Sequence, residues 1–294
     1  KIGQHVGIIM TDNKVRVACV QPSSGQDMAE NLRIACELVR VAEGEGAKLI
    51  ALPENVALMD HRTEALHAQA AALDAHPAIA AFADIARETG AWIIAGSVGA
   101  RTADSRIANC SVLIDGNGAI AARYDKIHMF DADLPNGEVY RESDAFRAGN
   151  DAVIAQTPWG GLGMSVCYDL RFPHLYRALA HGGAHIISIP AAFTKVTGEA
   201  VWHVLNRARA IESGAFVISP CMWGSHSGGR TTFGHSLIVD PWGTVLADAG
   251  EGVGYVTAEI DLDQVAKARA AIPALQHDRD FHVPGGDEKI ARAV

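Results

Sequence analysis

Three side chains in this sequence sit where they could do chemistry: Glu54, Lys126 and Cys167. Cys167 closes an apolar, strand-like run in Gly161-Leu-Gly-Met-Ser-Val-Cys-Tyr-Asp-Leu-Arg-Phe-Pro173, where the chain turns polar and aromatic. A nucleophile at a strand-to-helix turn projects outward, and the next backbone N–H, that of Tyr168, can face a developing oxyanion. Glu54 ends another apolar run, Lys48-Leu-Ile-Ala-Leu-Pro-Glu54. As it emerges from a buried strand its carboxyl is expected to be partly desolvated, which raises the pKa toward that of a general base. Lys126, in Tyr124-Asp-Lys-Ile-His-Met-Phe130, follows two apolar runs broken by Asp115-Gly-Asn-Gly118 and can offer a fixed positive charge. Taken singly, each has a plain structural reading: a buried cysteine acting as a small hydrophobe, a solvated strand end, a surface lysine. Together they describe a base, an electrostatic stabiliser and a nucleophile.

The order Glu, Lys, Cys resembles the nitrilase superfamily of carbon–nitrogen hydrolases, and the likeness runs from about Lys14 to about Phe281. The resemblance places the family's catalytic triad on Glu54, Lys126 and Cys167, with an oxyanion hole made by Lys126 and Tyr168. A second family glutamate, which helps to position the lysine and a water, falls on Glu142 in Tyr140-Arg-Glu-Ser-Asp144. Glu138 is the rival for that place, and spacing alone does not separate the two. The fold implied is α/β, a four-layer α-β-β-α sandwich with mixed sheets. The reaction implied is amide hydrolysis through a cysteine thioester, with no metal and no organic cofactor. A homodimer or larger homo-oligomer is carried over by analogy only.

Residues beyond the triad narrow the branch. Nitrile-hydrolysing members typically carry Cys-Trp-Glu, whereas this chain has Cys167-Tyr168-Asp169, which resembles the Nit branch of amidases. Further matches are Trp202, the run Arg207-Ala-Arg-Ala-Ile-Glu212 and Gly234-His-Ser-Leu-Ile-Val-Asp-Pro-Trp-Gly243. The segment Met222 to Ser236 looks more like amidases acting on deaminated glutathione than like ω-amidases acting on 2-oxoglutaramate. A nitrilase using the same triad is the other alternative, and a scaffold that has lost activity is disfavoured by the complete triad. Arg171, His128 and Arg230 are candidates for holding a substrate carboxylate, since guanidinium groups pair bidentately with carboxylates. For Arg171 an ion pair behind the nucleophile turn is an equal reading.

Composition bounds the rest. A chain of 294 residues, 49% of them hydrophobic, can bury a large core, and no linker-like stretch divides it. One domain over 10–285 is expected, with 1–9 as an extension or vector remnant and 286–294 as a tail. A net charge of -9 without a Lys/Arg cluster argues against nucleic acid as a partner. The 5 cysteines, Cys19, Cys36, Cys110, Cys167 and Cys221, are scattered, and neither Cys-x-x-Cys nor His-Glu-x-x-His occurs. Neither a disulfide framework nor a zinc site is therefore indicated. The 13 histidines are dispersed, which suits surface or satisfied core positions. No apolar stretch reaches the ~20 residues that cross a bilayer, and no signal peptide is visible, so no membrane partner and a cytoplasmic location are expected.

The elements that must position these groups follow from periodicity. Strands are expected at Val15–Val20, Lys48–Leu52, Ala91–Val98, Asn109–Asp115 and Ala119–Tyr124, then Leu162–Val166, His185–Ile189, Ala215–Ser219, Ser236–Val239 and Val245–Ala247. Helices are expected at Gln26–Gly44, Pro77–Thr89, Pro173–His181, Glu199–Ser213 and Asp261–Ala271, with an extended polar tail beyond. Helices alternating with apolar strands and hairpins imply helices covering mixed sheets.

Overall fold

The first strand, Lys14–Gln21, divides its side chains between two apolar environments. Val15, Val17 and Cys19 belong to one buried cluster, and Ala18 and Val20 to another. A strand that is apolar on both faces must be covered on both, and that requirement sets the layering. In the computed structural model, which describes residues 13–104 and 106–281, one sheet runs in the order Gly254–Asp261, Lys14–Gln21, Leu49–Ala51, Trp92–Arg101, Ile107–Ile114 and Ile120–Asp125. The second runs Val245–Asp248, Leu237–Val239, Phe216–Ser219, Ala184–Ser188, Gly160–Met164 and Val153–Thr157. Each sheet is mixed, with parallel pairing at its centre and antiparallel strands at its edges.

The two sheets share one buried cluster, which takes Val17, Cys19, Leu49 and Ile94 from the first and Ile187, Val217 and Ile238 from the second. Helices Met28–Gly44 and Pro77–Thr89 cover the outer face of the first sheet with Ala35, Val39, Ile79, Phe82 and Ile85. Pro173–His181 and Lys195–Ser213 cover the second with Leu175, Tyr176, Leu179 and Trp202. The result is the expected helix–sheet–sheet–helix sandwich. Complete burial of a side chain such as Phe82 contributes roughly 1.5–3 kcal/mol.

Local signals set the helix ends. Asp27 accepts a hydrogen bond from the Glu30 N–H and caps the helix Met28–Gly44. Pro77 opens the helix Pro77–Thr89, and Gly90 ends it in the left-handed conformation. Lys195–Ser213 begins a turn before the expected Glu199 and runs through Gly198, where a Cβ would lie 2.3 Å from the Phe233 ring. The last helix begins at Asp263 rather than Asp261.

Several elements were absent from the sequence reading. The strand Gly254–Asp261 pairs antiparallel with Lys14–Gln21 along its length. Its alternation of Tyr255, Thr257 and Glu259 with Val256, Ala258 and Ile260 is a strand signal. The short helix Thr63–Gln69 and the hairpins Asp131–Asp133/Val139–Arg141 and Trp223–Ser225/Thr231–Phe233 also went unanticipated. The polar tail is not extended over its first residues. Pro273 to His277 form turns, and Asp278 anchors on Arg177 and His181. The expected domain limits at 10 and 285, the extension 1–9 and the tail 286–294 lie outside the described residues.

Candidate active site

Strand ends deliver Glu54, Lys126 and Cys167 to one place. After Leu49–Ala51 the chain crosses Gly96, where a Cβ would come within 1.7 Å of the Leu52 carbonyl oxygen. Only glycine permits that approach, and it sets Glu54 at the mouth of the sheet. Asn55 follows with a φ of 58°, its N–H held by Ser97 Oγ at 3.1 Å. Lys126 leaves the end of Ile120–Asp125, its N–H donating to Asn109 O at 2.9 Å. Cys167 opens a short 3-10 turn after Gly160–Met164 with a φ of 51°, and its N–H donates to Pro190 O at 2.8 Å. A non-glycine residue in the left-handed region is strained and persists only where its surroundings hold it.

Asp169 does the holding. Its buried carboxylate accepts from Val166 N–H at 2.8 Å, Tyr124 Oη at 2.7 Å and the His128 N–H at 3.1 Å, and it pairs with His128 Nδ1 at 2.6 Å. The turn that carries the thiol is thereby tied to the strand that carries Lys126.

Around Lys126 the charges are dense. Its Nζ donates to Glu54 Oε1 at 2.9 Å and to both oxygens of Glu142, at 2.9 and 2.8 Å. Asn109 Nδ2 bridges the same two carboxylates, 2.9 Å from each. Ala192 N–H donates to Glu54 Oε2 at 2.9 Å, and Phe130 N–H to Glu142 Oε2 at 2.6 Å. Glu138 stands apart, bonded to Asn136 and to the Tyr140 hydroxyl. The structure thus brings Glu142, and not Glu138, to the lysine.

Burial and charge then set the protonation states. Burial pushes the Glu54 carboxyl up, but the Lys126 ammonium beside it more than offsets this and holds it well below the usual carboxylate range. This corrects the expectation of a raised Glu54 pKa: desolvation is present, and a buried counter-charge overrides it. Burial disfavours the Lys126 ammonium, yet Glu142 and Glu54 together keep its pKa well above the ordinary lysine value. Burial, reinforced by the neighbouring Glu54 carboxylate, raises the Cys167 thiol well above its usual value. The directions of these shifts favour a neutral thiol beside an ionised carboxylate.

A cavity of about 390 Å³ opens on this cluster, lined among others by Glu54, Lys126, Glu142, Cys167, Tyr168 and Arg230. Arg230 donates from Nη2 to Ala192 O at 2.6 Å and lies over the Tyr140 ring at 5.4 Å. Its Nε is buried without a partner among the described residues. Neither Arg171 nor His128 lines the cavity. Arg171 lies over the Phe193 ring at 5.8 Å, and the His128 ring stacks on Phe172 with centroids 3.5 Å apart. His128 faces Asp169 behind the nucleophile turn, because its carboxylate partner is there.

Two residues escaped the sequence reading. Asn109 had a signal, an amide in the largely apolar strand Ile107–Ile114, where burial demands partners. Asp169 had one too, a carboxylate two residues past the thiol in an apolar setting, but it served only to tell branches apart.

The carbon-nitrogen hydrolase family model matches residues 16–270. The chain belongs to this family. A deaminated glutathione amidase from Synechocystis sp. (strain PCC 6803 / GT-S) is 41% identical over 264 residues, covering 88% of this chain and 96% of that protein. The deaminated glutathione amidase of Homo sapiens is 39% identical over 269 residues, covering 90% of this chain and 82% of that one. Among solved structures, Saccharomyces cerevisiae Nit3, a member of branch 10 of the nitrilase superfamily, superimposes with a TM-score of 0.80 at 28% identity. That alignment covers 88% of this chain and 94% of Nit3. The carbon–nitrogen hydrolase described here thus has the nitrilase-superfamily fold and amidases as relatives.

Proposed function

We propose that this carbon–nitrogen hydrolase is an amidase of the deaminated glutathione type, working through a thioester on Cys167. The observation that carries the reading is the buried network of Glu54, Lys126, Glu142 and Asn109 beside the Cys167 thiol at the floor of the cavity. Glu54 takes the thiol proton as sulfur bonds to the amide carbon. The oxyanion forms against Lys126 Nζ and the Tyr168 N–H, donors of a kind whose removal costs ~10²–10³ in rate. Protonated Glu54 then gives its proton to the leaving nitrogen, the C–N bond breaks, and the amine departs from a thioester. Water attacks that thioester while Glu54 takes a proton from it, and the thiol is regenerated with the acid product. Glu142 positions Lys126 and neutralises part of its charge, so that the ammonium is held without being consumed.

Arg230 is the residue we assign to the carboxylate of a 2-oxo acid acyl group. It lines the cavity and carries a buried Nε with donor capacity to spare. A guanidinium suits that task because it binds carboxylates in a fixed fork. The protein is read as one domain, since strands from both halves of the chain share one buried cluster. Cytoplasmic residence is supported by five unpaired cysteines. A homo-oligomer is supported by exposed Val204 and Ile211 on one helix and Trp242 beside it. Among the described residues no helix is long and apolar enough to cross a membrane.

The test is a comparison of kcat/KM for deaminated glutathione, 2-oxoglutaramate and a simple nitrile with one enzyme preparation. Deaminated glutathione is expected to lead, because its larger leaving peptide offers remote binding energy to the transition state. A preference for 2-oxoglutaramate would make the protein an ω-amidase, and a preference for the nitrile would overturn the amidase reading.

A further inference from the structure

We propose that His203, His235 and Asp248 form a binding site for a divalent cation of the zinc class, separate from the reaction cavity. The three residues are dispersed in sequence and converge in the fold. His203 lies on the helix Lys195–Ser213, His235 just before the strand Leu237–Val239, and Asp248 at the end of Val245–Asp248. One candidate ligand atom from each falls within 4.8 Å of the others. None of the three lines the cavity around Cys167.

The spacing is close to what a metal would impose. His203 Nε2 is 2.9 Å from Asp248 Oδ2, and His235 Nδ1 is 3.0 Å from Oδ1. A tetrahedral zinc ion with bonds of ~2.0–2.1 Å separates its ligand atoms by about 3.3 Å. Small side-chain rotations therefore open the cluster to an ion. Two imidazoles and a carboxylate suit zinc and leave a fourth position for water. On entry the ion takes the place of whatever protons the rings share with Asp248, and these leave to solvent.

The ligands are oriented from behind, as metal ligands usually are. Asp248 Oδ1 also accepts the Gly250 N–H at 2.8 Å. His235 donates its N–H to Gly250 O at 2.9 Å and accepts Trp202 Nε1 on its carbonyl at 2.7 Å. Its ring stacks on Phe233, with centroids 4.5 Å apart. The backbone adds an independent sign. Among the described residues only Asn55, Cys167 and His235 are non-glycine with positive φ, and the first two line the reaction cavity. His235 is held in the same costly conformation, at 53°, where it aims a ring at Asp248. Side-chain exposures of 38%, 24% and 33% for His203, His235 and Asp248 leave the ion a way in from solvent.

If a carboxylate merely pairs with two imidazoles, zinc will find nothing there, so the test is direct. Metal-free protein is titrated with ZnCl₂ near neutral pH by calorimetry, and Co²⁺ is added separately for its visible spectrum. One ion per chain is expected, with a cobalt spectrum of nitrogen and oxygen ligands. His203→Ala and Asp248→Ala should each weaken binding by at least ~10-fold, the lower end of what even supporting residues cost a metal site. His203→Gln, on a half-exposed helical position, repeats the test should an alanine variant lose its fold. Absence of zinc binding, or affinity unchanged in these variants, overturns the proposal. So does a thiolate-to-cobalt band abolished by Cys167→Ala, which would put the ion in the reaction cavity.

Discussion

Replacing Glu54 by Gln keeps the shape of the side chain and removes its ability to take a proton. In the native protein Oε1 accepts from Lys126 and Asn109 while Oε2 accepts from the Ala192 N–H. An amide has one oxygen. Placed toward Lys126 and Asn109 it satisfies both, but its NH₂ then confronts the Ala192 N–H, leaving a buried donor unpaired at a cost of about 1–3 kcal/mol. The reverse orientation is worse, since NH₂ would meet an ammonium and a second amide. Lys126 keeps both oxygens of Glu142, so it stays charged and the fold survives with a melting temperature several degrees lower. Catalysis suffers far more. Losing the general base is expected to lower kcat/KM by ~10²–10⁴, equivalent to about 2.7–5.5 kcal/mol of barrier. The assay measures amine release from the preferred amide together with a thermal melt on the same sample. A variant within tenfold of wild-type turnover that also melts as wild type would refute both the base assignment and the hydrogen-bond argument.

Other outcomes follow from the same geometry. Cys167→Ala should abolish hydrolysis while the protein still folds, and iodoacetamide should label Cys167, which lines the cavity, ahead of the fully buried Cys19, Cys110 and Cys221, which do not; residual turnover in the alanine variant would exclude the thioester. Glu142→Ala should cost at least ~10² in kcat/KM by freeing the oxyanion donor Lys126, whereas Glu138→Ala should stay within a few-fold, and the reverse ranking would transfer the role. Arg230→Ala should raise KM for 2-oxo acid amides far more than it changes kcat, and an unchanged KM would remove Arg230 from substrate binding. In pH profiles, the depressed Glu54 pKa keeps its charge, and the stability it contributes, until pH falls below the ordinary carboxylate range. The raised Lys126 pKa keeps the ammonium until pH rises beyond the ordinary lysine range. A plateau in kcat/KM between about pH 6 and 9 is therefore expected, and an acid limb centred near pH 6–7 would contradict the ionised resting state of Glu54.

Glu54, Lys126 and Cys167, which the structure brings together at one cavity, and most of the elements that carry them were legible in the chain. Apolar runs ending in Pro53-Glu54 and in Cys167 read as strand ends, and both proved to be so. What went unread were short or edge elements. The strand Gly254–Asp261 carries polar residues on one face and lies at a sheet edge. The hairpin Trp223–Ser225/Thr231–Phe233 is only three residues a side. So short a hairpin owes its form to what it packs against rather than to a local pattern, so periodicity is a poor guide to it, whereas the edge strand does carry an alternation. Arg171 and His128 show the same limit, since residue type made them carboxylate candidates and only their neighbours turned them elsewhere.

The sequence by itself pointed to Glu54, Lys126 and Cys167, to the alternation that demands helices over mixed sheets, and to residues after Cys167 that resemble an amidase branch. Tertiary structure alone decided between Glu142 and Glu138, reversed the expected shift of Glu54, recruited Asn109 and Asp169, and gathered His203, His235 and Asp248 into one cluster. The physical reason is range. Strand and helix propensity act over a few neighbours in the chain, whereas charges and hydrogen bonds act over a few ångströms in space, and the fold alone converts one distance into the other.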